Sequence, residues 1–468
     1  MLLAEKMNEN KIICAARKFL MSNAFMVFEC LLACVFVVLR GRGNDHMAAL
    51  VYGDVILMCI ICIILFICDD LMTTTLPFLL ICCISLKCYD SFDIFIKFIY
   101  LAPLPVAALL FHFIVYRQPL DFGKTWKGVL AVAVAVSLGG VGKISAAEYF
   151  SGTALFYTIG LGIGMLGIYL LMNSHFNWSR QYNMRYRFSI IMMLVGCVCV
   201  FMIAHHYVMY WGNFLHKMSP VYFQWRNNVS TILLLTIPFT FFLSSTYYGC
   251  FFVAMLQYVG ILFTGSRGGV ISGTISVALS LIILVYCDKR NRKKTLIIIA
   301  STVFVALTFF MRPLMKFFEP LLARIANGDD IREGLISRAI KDFNSNIIFG
   351  RGLGYNGNTD IHSTPKFAIC WYHSAPFQVI GSFGLVGVVC FLYQFFNRMK
   401  VTWERITQFN LTLFIAYAGL FLMSLVNPGE FCPVPYGLMA TLLFIICDKN
   451  NIAALSNKEK EEEYKIEI

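Results

Sequence analysis

The sequence predicts an all-α fold, a polytopic bundle of about 12–14 transmembrane helices with a long extracytoplasmic loop that contains short amphipathic helices. Of the 468 residues, 59% are hydrophobic and only 14% are charged, whereas a soluble domain carries about a quarter charged residues. Apolar runs of about twenty residues recur along the whole chain. Each run is long enough to cross a hydrocarbon core about 30 Å thick, where a helix satisfies its own backbone hydrogen bonds.

The apolar runs mark the predicted spans, of which the third, eighth and ninth are the weakest. They lie near residues 20–39, 48–68, 71–87, 94–115, 126–142, 153–173, 187–206, 230–245, 247–264, 267–287, 294–312, 375–396, 407–426 and 431–449. The chain accordingly divides into five segments. They are N-terminal transmembrane helices (1–206), transmembrane helices with two arginine motifs (207–312), an extracytoplasmic loop (313–374), C-terminal transmembrane helices (375–449) and a cytoplasmic tail (450–468).

The net charge of +12 is explained better by membrane topology than by a nucleic-acid partner, because cytoplasmic loops carry an excess of Lys and Arg. With both termini in the cytoplasm, four basic clusters fall on that side: Lys289, Arg290, Arg292, Lys293 and Lys294; Arg180, Arg185 and Arg187; Arg398, Lys400 and Arg405; Arg117, Lys124 and Lys127. Arg40 and Arg42 fall on the opposite side. We expect a multi-pass protein of the cytoplasmic (inner) membrane, with the lipid bilayer as a partner and no nucleic acid.

The 17 cysteines lie mostly inside apolar runs, where they act as small buried hydrophobes. No pair of cysteines at metal-binding spacing stands in a polar context, and no acidic cluster has the spacing of metal ligands. The sequence therefore predicts neither a metal nor another cofactor.

The predicted loop at residues 313–374 is the longest polar stretch, and loops of more than about 15 residues are usually functional or disordered. Its composition is not that of a disordered segment. Apolar residues recur at helical spacing in 313–327 and again in 331–343, which predicts two short amphipathic helices. A glycine turn follows at 350–354.

Two arginine motifs lie at the outer ends of spans that run inward. The first is the run Thr264 to Gly269, with Ser266, Arg267 and Gly268 at its centre. Free N–H groups at a helix start favour an anion, and Arg267 offers a planar donor fork suited to phosphate. The second is Arg226, before the eighth predicted span. The alternative for both is an arginine that anchors a helix at the membrane surface.

The third motif is His373, at the entrance to the twelfth predicted span, and its side chain can act as a general base near neutral pH. His362 is a rival in the same loop. Arg338 and Arg351 are further candidate anion ligands, or solvated surface groups. Together the motifs predict one outer site for a phosphate-bearing substrate, with removal of a proton from a hydroxyl.

These features resemble those of the O-antigen ligase and O-antigen polymerase superfamily of bacterial membrane proteins. The likeness is carried by the long outer loop and by Thr-Gly-Ser-Arg-Gly at 264–268, Ser337-Arg338, Ile348-Phe349-Gly350 with Gly352 and Gly354, and His373 ahead of Gly384-Leu385-Val386-Gly387. It covers residues 220–400, while the first 200 residues match only as generic spans. The family usually has His-Asn where this chain has His373-Ser374.

The resemblance implies that a polyprenyl-diphosphate-linked oligosaccharide is the donor and that its glycan passes to the hydroxyl of a glycan acceptor without a metal. It implies that His373 is the base, that Arg226 and Arg267 bind the diphosphate, and that Arg338 supports them. Further supporting candidates are Ser266, Gly268, Arg351 and His362. Other polysaccharide-assembly proteins are expected partners.

Three functions remain open at this point. A polymerase of O-antigen, capsule or exopolysaccharide repeat units is favoured over a ligase, because charges in the loop nearly balance and its aromatic residues suit stacking on sugars. A ligase would transfer the finished glycan to a glycolipid or cell-wall acceptor. A transporter or flippase of lipid-linked sugars would carry ionisable residues near midplane and often internal repeats, whereas these spans are nearly free of charge.

Topology can be tested with single cysteines at Asn291 and Asn358, in a background that lacks reactive native cysteines. Asn358 lies in the predicted outer loop, so an impermeant thiol reagent should label it on intact cells. Asn291 lies in the strongest basic cluster and should react only after permeabilisation. The reverse pattern would place the predicted site in the cytoplasm.

Overall fold

The protein, seen in a computed structural model, is described at residues 2–40, 47–85, 98–144, 158–176, 183–213, 226–287, 292–305, 308, 315, 319, 323, 330–353, 372–427, 429–431 and 433–466. All regular elements within these ranges are helices, and they include no strand. The predicted α-helical class is confirmed for this part of the chain.

The α-helices follow the predicted apolar runs and the amphipathic segment of the loop. In chain order they are α1 (Leu2–Glu9), α2 (Lys11–Leu20), α3 (Asn23–Leu39), α4 (Met47–Ile67), α5 (Thr75–Ser85), α6 (Pro103–Val115), α7 (Trp126–Ile144), α8 (Met165–His175), α9 (Met184–Met209), α10 (Arg226–Ser244), α11 (Gly249–Thr264), α12 (Arg267–Cys287), α13 (Arg292–Val305), α14 (Asp330–Ser345), α15 (Ala375–Trp403), α16 (Gln408–Ser424) and α17 (Leu438–Ile466). Short 3-10 helices and π turns lie at Leu71–Thr74, Ile99–Leu101, Gly160–Gly164, Gly429–Phe431 and Pro433–Gly437.

Within the described ranges, five helices, α4, α9, α10, α12 and α15, are long and apolar enough to cross a membrane. A sixth span arises if α2 and α3, which meet at 58°, form one bent crossing. Shorter apolar helices of 10–17 residues coincide with five of the other predicted spans, at Leu71–Ser85, Pro103–Val115, Trp126–Gly139, Gly249–Thr264 and Gln408–Ser424. Length and composition thus indicate a helical membrane protein, and the count of 12–14 spans stays a prediction.

The chain divides into two compact units that do not follow its order. The first contains Met1–Pro119 and His175–Leu322, and the second contains Leu120–Ser174 and Ala323–Ile468. Helices α7 and α8 therefore belong, apart from His175, with the C-terminal helices rather than with their neighbours in sequence.

The centre of the first unit is α10, which is buried from Val229 to Ser244. Helices α9 and α11 pack against it, and Gln257 of α11 forms hydrogen bonds to both α9 and α10. Gln257 Nε2 donates to the carbonyl of Met193 (3.1 Å), while Gln257 Oε1 accepts from Thr240 Oγ1 (3.1 Å). Gly196 leaves the space for this side chain, because a Cβ there would lie 2.4 Å from Gln257 Nε2.

The core of the second unit forms where α7 packs against α15. Its buried side chains are Val132, Val136, Leu161, Leu353, Val379, Phe383 and Phe431. Phe431 belongs to the segment between α16 and α17, and its ring lies 5.1 Å from that of Phe391. This segment is therefore a part of the core and not only a surface connection.

A buried ion pair holds the same segment. Arg398 of α15 is 4% exposed, and its Nη1 lies 2.6 Å from Glu430 Oε2 and 3.2 Å from the hydroxyl of Tyr417. The guanidinium also lies 4.9 Å from the centroid of the Phe444 ring. The sequence predicts that the twelfth span ends near residue 396 and places Arg398 in the basic cluster that follows it, with Lys400 and Arg405. The structure corrects the helix end, because α15 continues to Trp403 and Arg398 is buried within it, against Glu430, α16 and α17.

Glu430→Ala tests how much this pair stabilises the second unit. It would leave a buried arginine without its carboxylate, and loss of one partner of a buried pair destabilises by about 3–5 kcal/mol. The matched control is Glu404→Ala, which breaks a partly exposed ion pair whose Lys124 Nζ and Glu404 Oε2 lie 2.6 Å apart. This change should alter the free energy of unfolding by less than about 1 kcal/mol. Thermal unfolding in detergent should show a large fall in Tm for Glu430→Ala only. An equal fall in both variants would contradict a stabilising role for the Arg398 pair.

Candidate functional site

The Thr-Gly-Ser-Arg-Gly motif forms the turn between α11 and α12. Thr264 ends α11, and Gly265 follows with φ of +69°, a left-handed conformation that suits glycine. Ser266 then caps α12, since its Oγ accepts a hydrogen bond from the N–H of Gly269 (3.1 Å). Arg267 is the first residue of α12, and Gly268 follows it in the first turn.

The start of α12 lies beside the start of α10. Ser266 Oγ donates to Asn227 Oδ1 across 2.7 Å, and the hydroxyls of Ser230 and Thr264 lie 2.8 Å apart. The helices approach closely because position 269 is a glycine: a Cβ there would lie 2.7 Å from Ser230 Cβ. The sequence predicted the eighth span from residue 230, but the helix begins at Arg226. Arg226 and Arg267 are thus the first residues of two adjacent helices.

Two adjacent helix starts make a favourable environment for an anion. The first four N–H groups of a helix have no partner within the helix, and the helix dipole places partial positive charge there. An arginine at each start adds full positive charge and planar donor groups. This part of the first unit therefore has the donor chemistry that a phosphate or diphosphate requires.

The glycine motifs of the second unit meet at an interruption of α15. Gly384 has non-helical dihedral angles (φ of +59° and ψ of −151°), so the helical hydrogen bonds stop there. The segment after α14 fills the gap. The carbonyls of Ile347 and Ile348 accept from the N–H groups of Leu385 (2.9 Å) and Val386 (3.2 Å). On the other side, the N–H groups of Arg351 and Gly352 donate to the carbonyls of Gly381 (2.9 Å) and Ser382 (2.8 Å).

Two glycines make this docking sterically possible. A Cβ on Gly384 would lie 2.5 Å from the carbonyl oxygen of Ile347, and a Cβ on Gly350 would lie 2.5 Å from the nitrogen of Phe383. Both residues also have positive φ, which a side chain would disfavour. The two motifs that lie over thirty residues apart in the sequence are therefore two halves of one backbone contact.

A polar network fixes the residues beside His373. Tyr372 is 4% exposed, and its hydroxyl donates to Asp342 Oδ2 across 2.6 Å. Arg338 forms an ion pair with the same carboxylate, with Nε 3.2 Å from Oδ1. The N–H of Tyr372 donates to Gln378 Oε1 (3.1 Å), so α14 and α15 both hold this residue. Sequence reasoning named Arg338 as an anion ligand, whereas the structure pairs it with Asp342.

His373 is half-buried in the turn that precedes α15. Its φ is +52°, an uncommon conformation for a residue with a side chain, and such residues often occur at functional sites. Arg351 belongs to the docked segment, and its side-chain Nε donates to Ser345 Oγ. His373, Arg338 and Arg351 thus belong to the second unit, while Arg226 and Arg267 belong to the first. His362 lies outside the described residues.

The structure describes only one of the two predicted amphipathic helices in full. A helix, α14, is present at the second, with Leu335 and Ala339 fully buried and Ile340 of the predicted apolar stripe exposed. Its place in an extracytoplasmic loop stays a prediction. Most of the first, at 313–327, lies outside the described residues. Sequence reasoning missed Asp342, Gln378 and Ser230. A signal was present for Asp342, which follows Arg338 by four residues and so shares its helix face.

The chain matches no protein-family model, no curated protein and no solved structure. Any assignment of function therefore depends on the geometry described above and on the residues that carry the resemblance.

Gly384→Ala tests the docking of the segment after α14 on the interruption of α15. The added methyl group would meet the Ile347 carbonyl at 2.5 Å, so the docked segment must move and the variant should unfold at a clearly lower temperature. The control is Gly334→Ala on α14, where nothing lies within 4 Å and alanine should be neutral or stabilise by about 0.5–1 kcal/mol. Amide hydrogen exchange should increase at residues 347–352 in Gly384→Ala alone. Unchanged protection there would contradict the docking.

Proposed function

We propose that this protein is a membrane glycosyltransferase that takes a glycan from a polyprenyl-diphosphate carrier at the outer face of the cytoplasmic membrane. The acceptor is the terminal sugar of another lipid-linked glycan, so the product is a surface polysaccharide such as O-antigen, capsule or exopolysaccharide. The observation that carries the proposal is the 2.7 Å hydrogen bond between Ser266 and Asn227, which joins two helix starts that each open with an arginine.

The arginines supply what the leaving group of this reaction needs. Negative charge grows on the carrier diphosphate as its bond to the sugar breaks, and preorganised donors aimed at such charge stabilise the transition state. Arg226 and Arg267 provide guanidinium groups, and the first turns of α10 and α12 provide N–H groups. Arginines that only anchor helices at the membrane surface would not explain why the starts of α10 and α12 are hydrogen-bonded to each other.

His373 is the proposed base. It takes the proton of the acceptor hydroxyl, whose oxygen then bonds to the anomeric carbon of the donor sugar while the diphosphate leaves with the electron pair of the broken bond. The base must lie within about 2.6–3.2 Å of that hydroxyl, directly or through one water. Tyr372 supports this role, because Asp342 and Gln378 fix the residue next to His373.

A transporter of lipid-linked sugars is the second candidate, and one observation favours it. The predicted spans carry almost no charge, which speaks against a transporter. The buried pair of Arg398 and Glu430 departs from that pattern, and ionisable groups inside membrane proteins often mark substrate paths. The arginine pair at the starts of α10 and α12 fits both candidates, because a transporter would also have to bind the diphosphate. The first candidate is preferred because a transporter gives no role to a general base such as His373.

Replacement of His373 tests the proposed base. His373→Ala and His373→Gln should each reduce product formation by about 10²- to 10⁴-fold, because neither side chain can accept the proton near neutral pH. Protein level and Tm should stay near those of the wild type. His362→Ala is the matched control and should retain activity. Near-normal product from His373→Ala, with loss in His362→Ala, would move the base to His362.

Reconstitution separates the candidate functions. Purified protein that receives a polyprenyl-diphosphate-linked repeat unit as its only substrate should build a ladder of longer chains, because the same glycan serves as donor and acceptor. A single transfer that requires an added glycolipid or cell-wall acceptor would replace the polymerase with a ligase. Movement of the lipid-linked glycan across vesicles without a new glycosidic bond would support the transporter and overturn the enzyme.

A further inference from the structure

A buried carboxyl group in the first unit belongs to none of the motifs above. Asp54 lies seven residues after the start of α4, or about 10 Å along the helix, and it is 3% exposed. Its helix is one of those long and apolar enough to span a membrane. Asp54 Oδ2 accepts a hydrogen bond from Ser85 Oγ across 2.7 Å, while Oδ1 has no hydrogen-bond partner in the described structure.

No cation compensates a charge on this group within the described residues. The described polar groups that interact with Asp54 are Ser85 and Cys82, both on α5, and neither carries a positive charge. On the side of α3, the ring of Phe36 fills the space beside the adjacent Gly53. Glu29 makes a useful contrast, because it is equally buried but faces Arg187 of α9.

An ionised carboxylate without a partner is strongly disfavoured in an apolar interior, and more so inside a membrane. A bound metal ion would not neutralise this carboxylate, because one carboxyl group and one hydroxyl supply too few ligands for a hard cation such as Ca²⁺, which takes about 6–8 oxygens. A single proton neutralises the group and needs no further ligand.

We propose that Asp54 and Ser85 form a proton-binding site in the first unit, with Asp54 as the group that takes up and releases the proton. Ser85 is the last residue of α5 and is only half-buried, so its hydroxyl connects the buried acid with the end of the helix. A hydroxyl both donates and accepts hydrogen bonds and can therefore pass a proton to the carboxyl. This site is separate from glycosyl transfer and does not depend on that proposal.

A hydrophobic carbodiimide, N,N′-dicyclohexylcarbodiimide, detects such a group because it reaches acids from the bilayer and reacts with their protonated form. The acid proton moves to a carbodiimide nitrogen, and the carboxyl oxygen bonds to the central carbon. The resulting O-acylisourea rearranges to a stable N-acylurea, so one whole reagent molecule is added and nothing leaves. Peptide mass spectrometry of wild-type protein in its membrane then identifies the modified residue without any mutation.

We expect an adduct on Asp54 whose yield falls as pH rises. Asp70 is the matched control: it is equally buried, but its Oδ1 caps a helix by accepting from the N–H of Met72 (3.2 Å), so it should not react. Ser85→Ala removes a donor that stabilises the carboxylate, and the adduct should persist to higher pH. Absence of an Asp54 adduct at every pH, or equal reaction at Asp70, would overturn the site. An unchanged pH profile in Ser85→Ala would overturn the role of Ser85.

Discussion

The architecture of the second unit depends on how the interruption of α15 is satisfied. A break in a helix leaves carbonyls before it and N–H groups after it without partners, and such groups are tolerated at membrane depth only where protein covers them. Here the carbonyls of Gly381 and Ser382 and the N–H groups of Leu385 and Val386 all bond to one segment, residues 347–352. That segment replaces the missing turn, so the break and the loop that follows α14 require each other.

This contact fixes α14 against α15 and thereby positions the residues around His373. Asp342 of α14 reaches Tyr372, and Gln378 of α15 holds the same residue through its backbone. Beneath the break, Phe383 stacks on Phe391 and Phe431, with ring centroids 5.9 and 6.3 Å from its own. The Arg398 pair with Glu430 then holds the segment that carries Phe431. A histidine in a left-handed conformation is thus supported by a chain of packed and hydrogen-bonded groups.

The sequence predicts individual elements well and their contacts poorly. The tenth predicted span coincides with α12, and the apolar stripe at 331–343 lies within α14, because both signals are periodic and local. The glycines at 350 and 384 were visible as motifs, but their mutual contact depends on tertiary packing that spacing does not encode. The burial of Arg398 was not predicted for a similar reason, because its position in the sequence does not show that Glu430 packs against it. The eighth span was predicted to begin at residue 230, whereas α10 begins at Arg226, a difference of the size that is common at helix ends.

We propose that the starts of α10 and α12 bind the carrier diphosphate, and this binding can be measured directly. Binding of a sugar-free polyprenyl diphosphate to purified protein measures this without catalysis. We expect His373→Ala to bind this diphosphate like the wild type. Arg267→Lys should bind it at least about tenfold more weakly, because lysine keeps the charge but loses the planar fork. Wild-type affinity in Arg267→Lys, or no binding by the wild type, would contradict diphosphate binding at these helix starts.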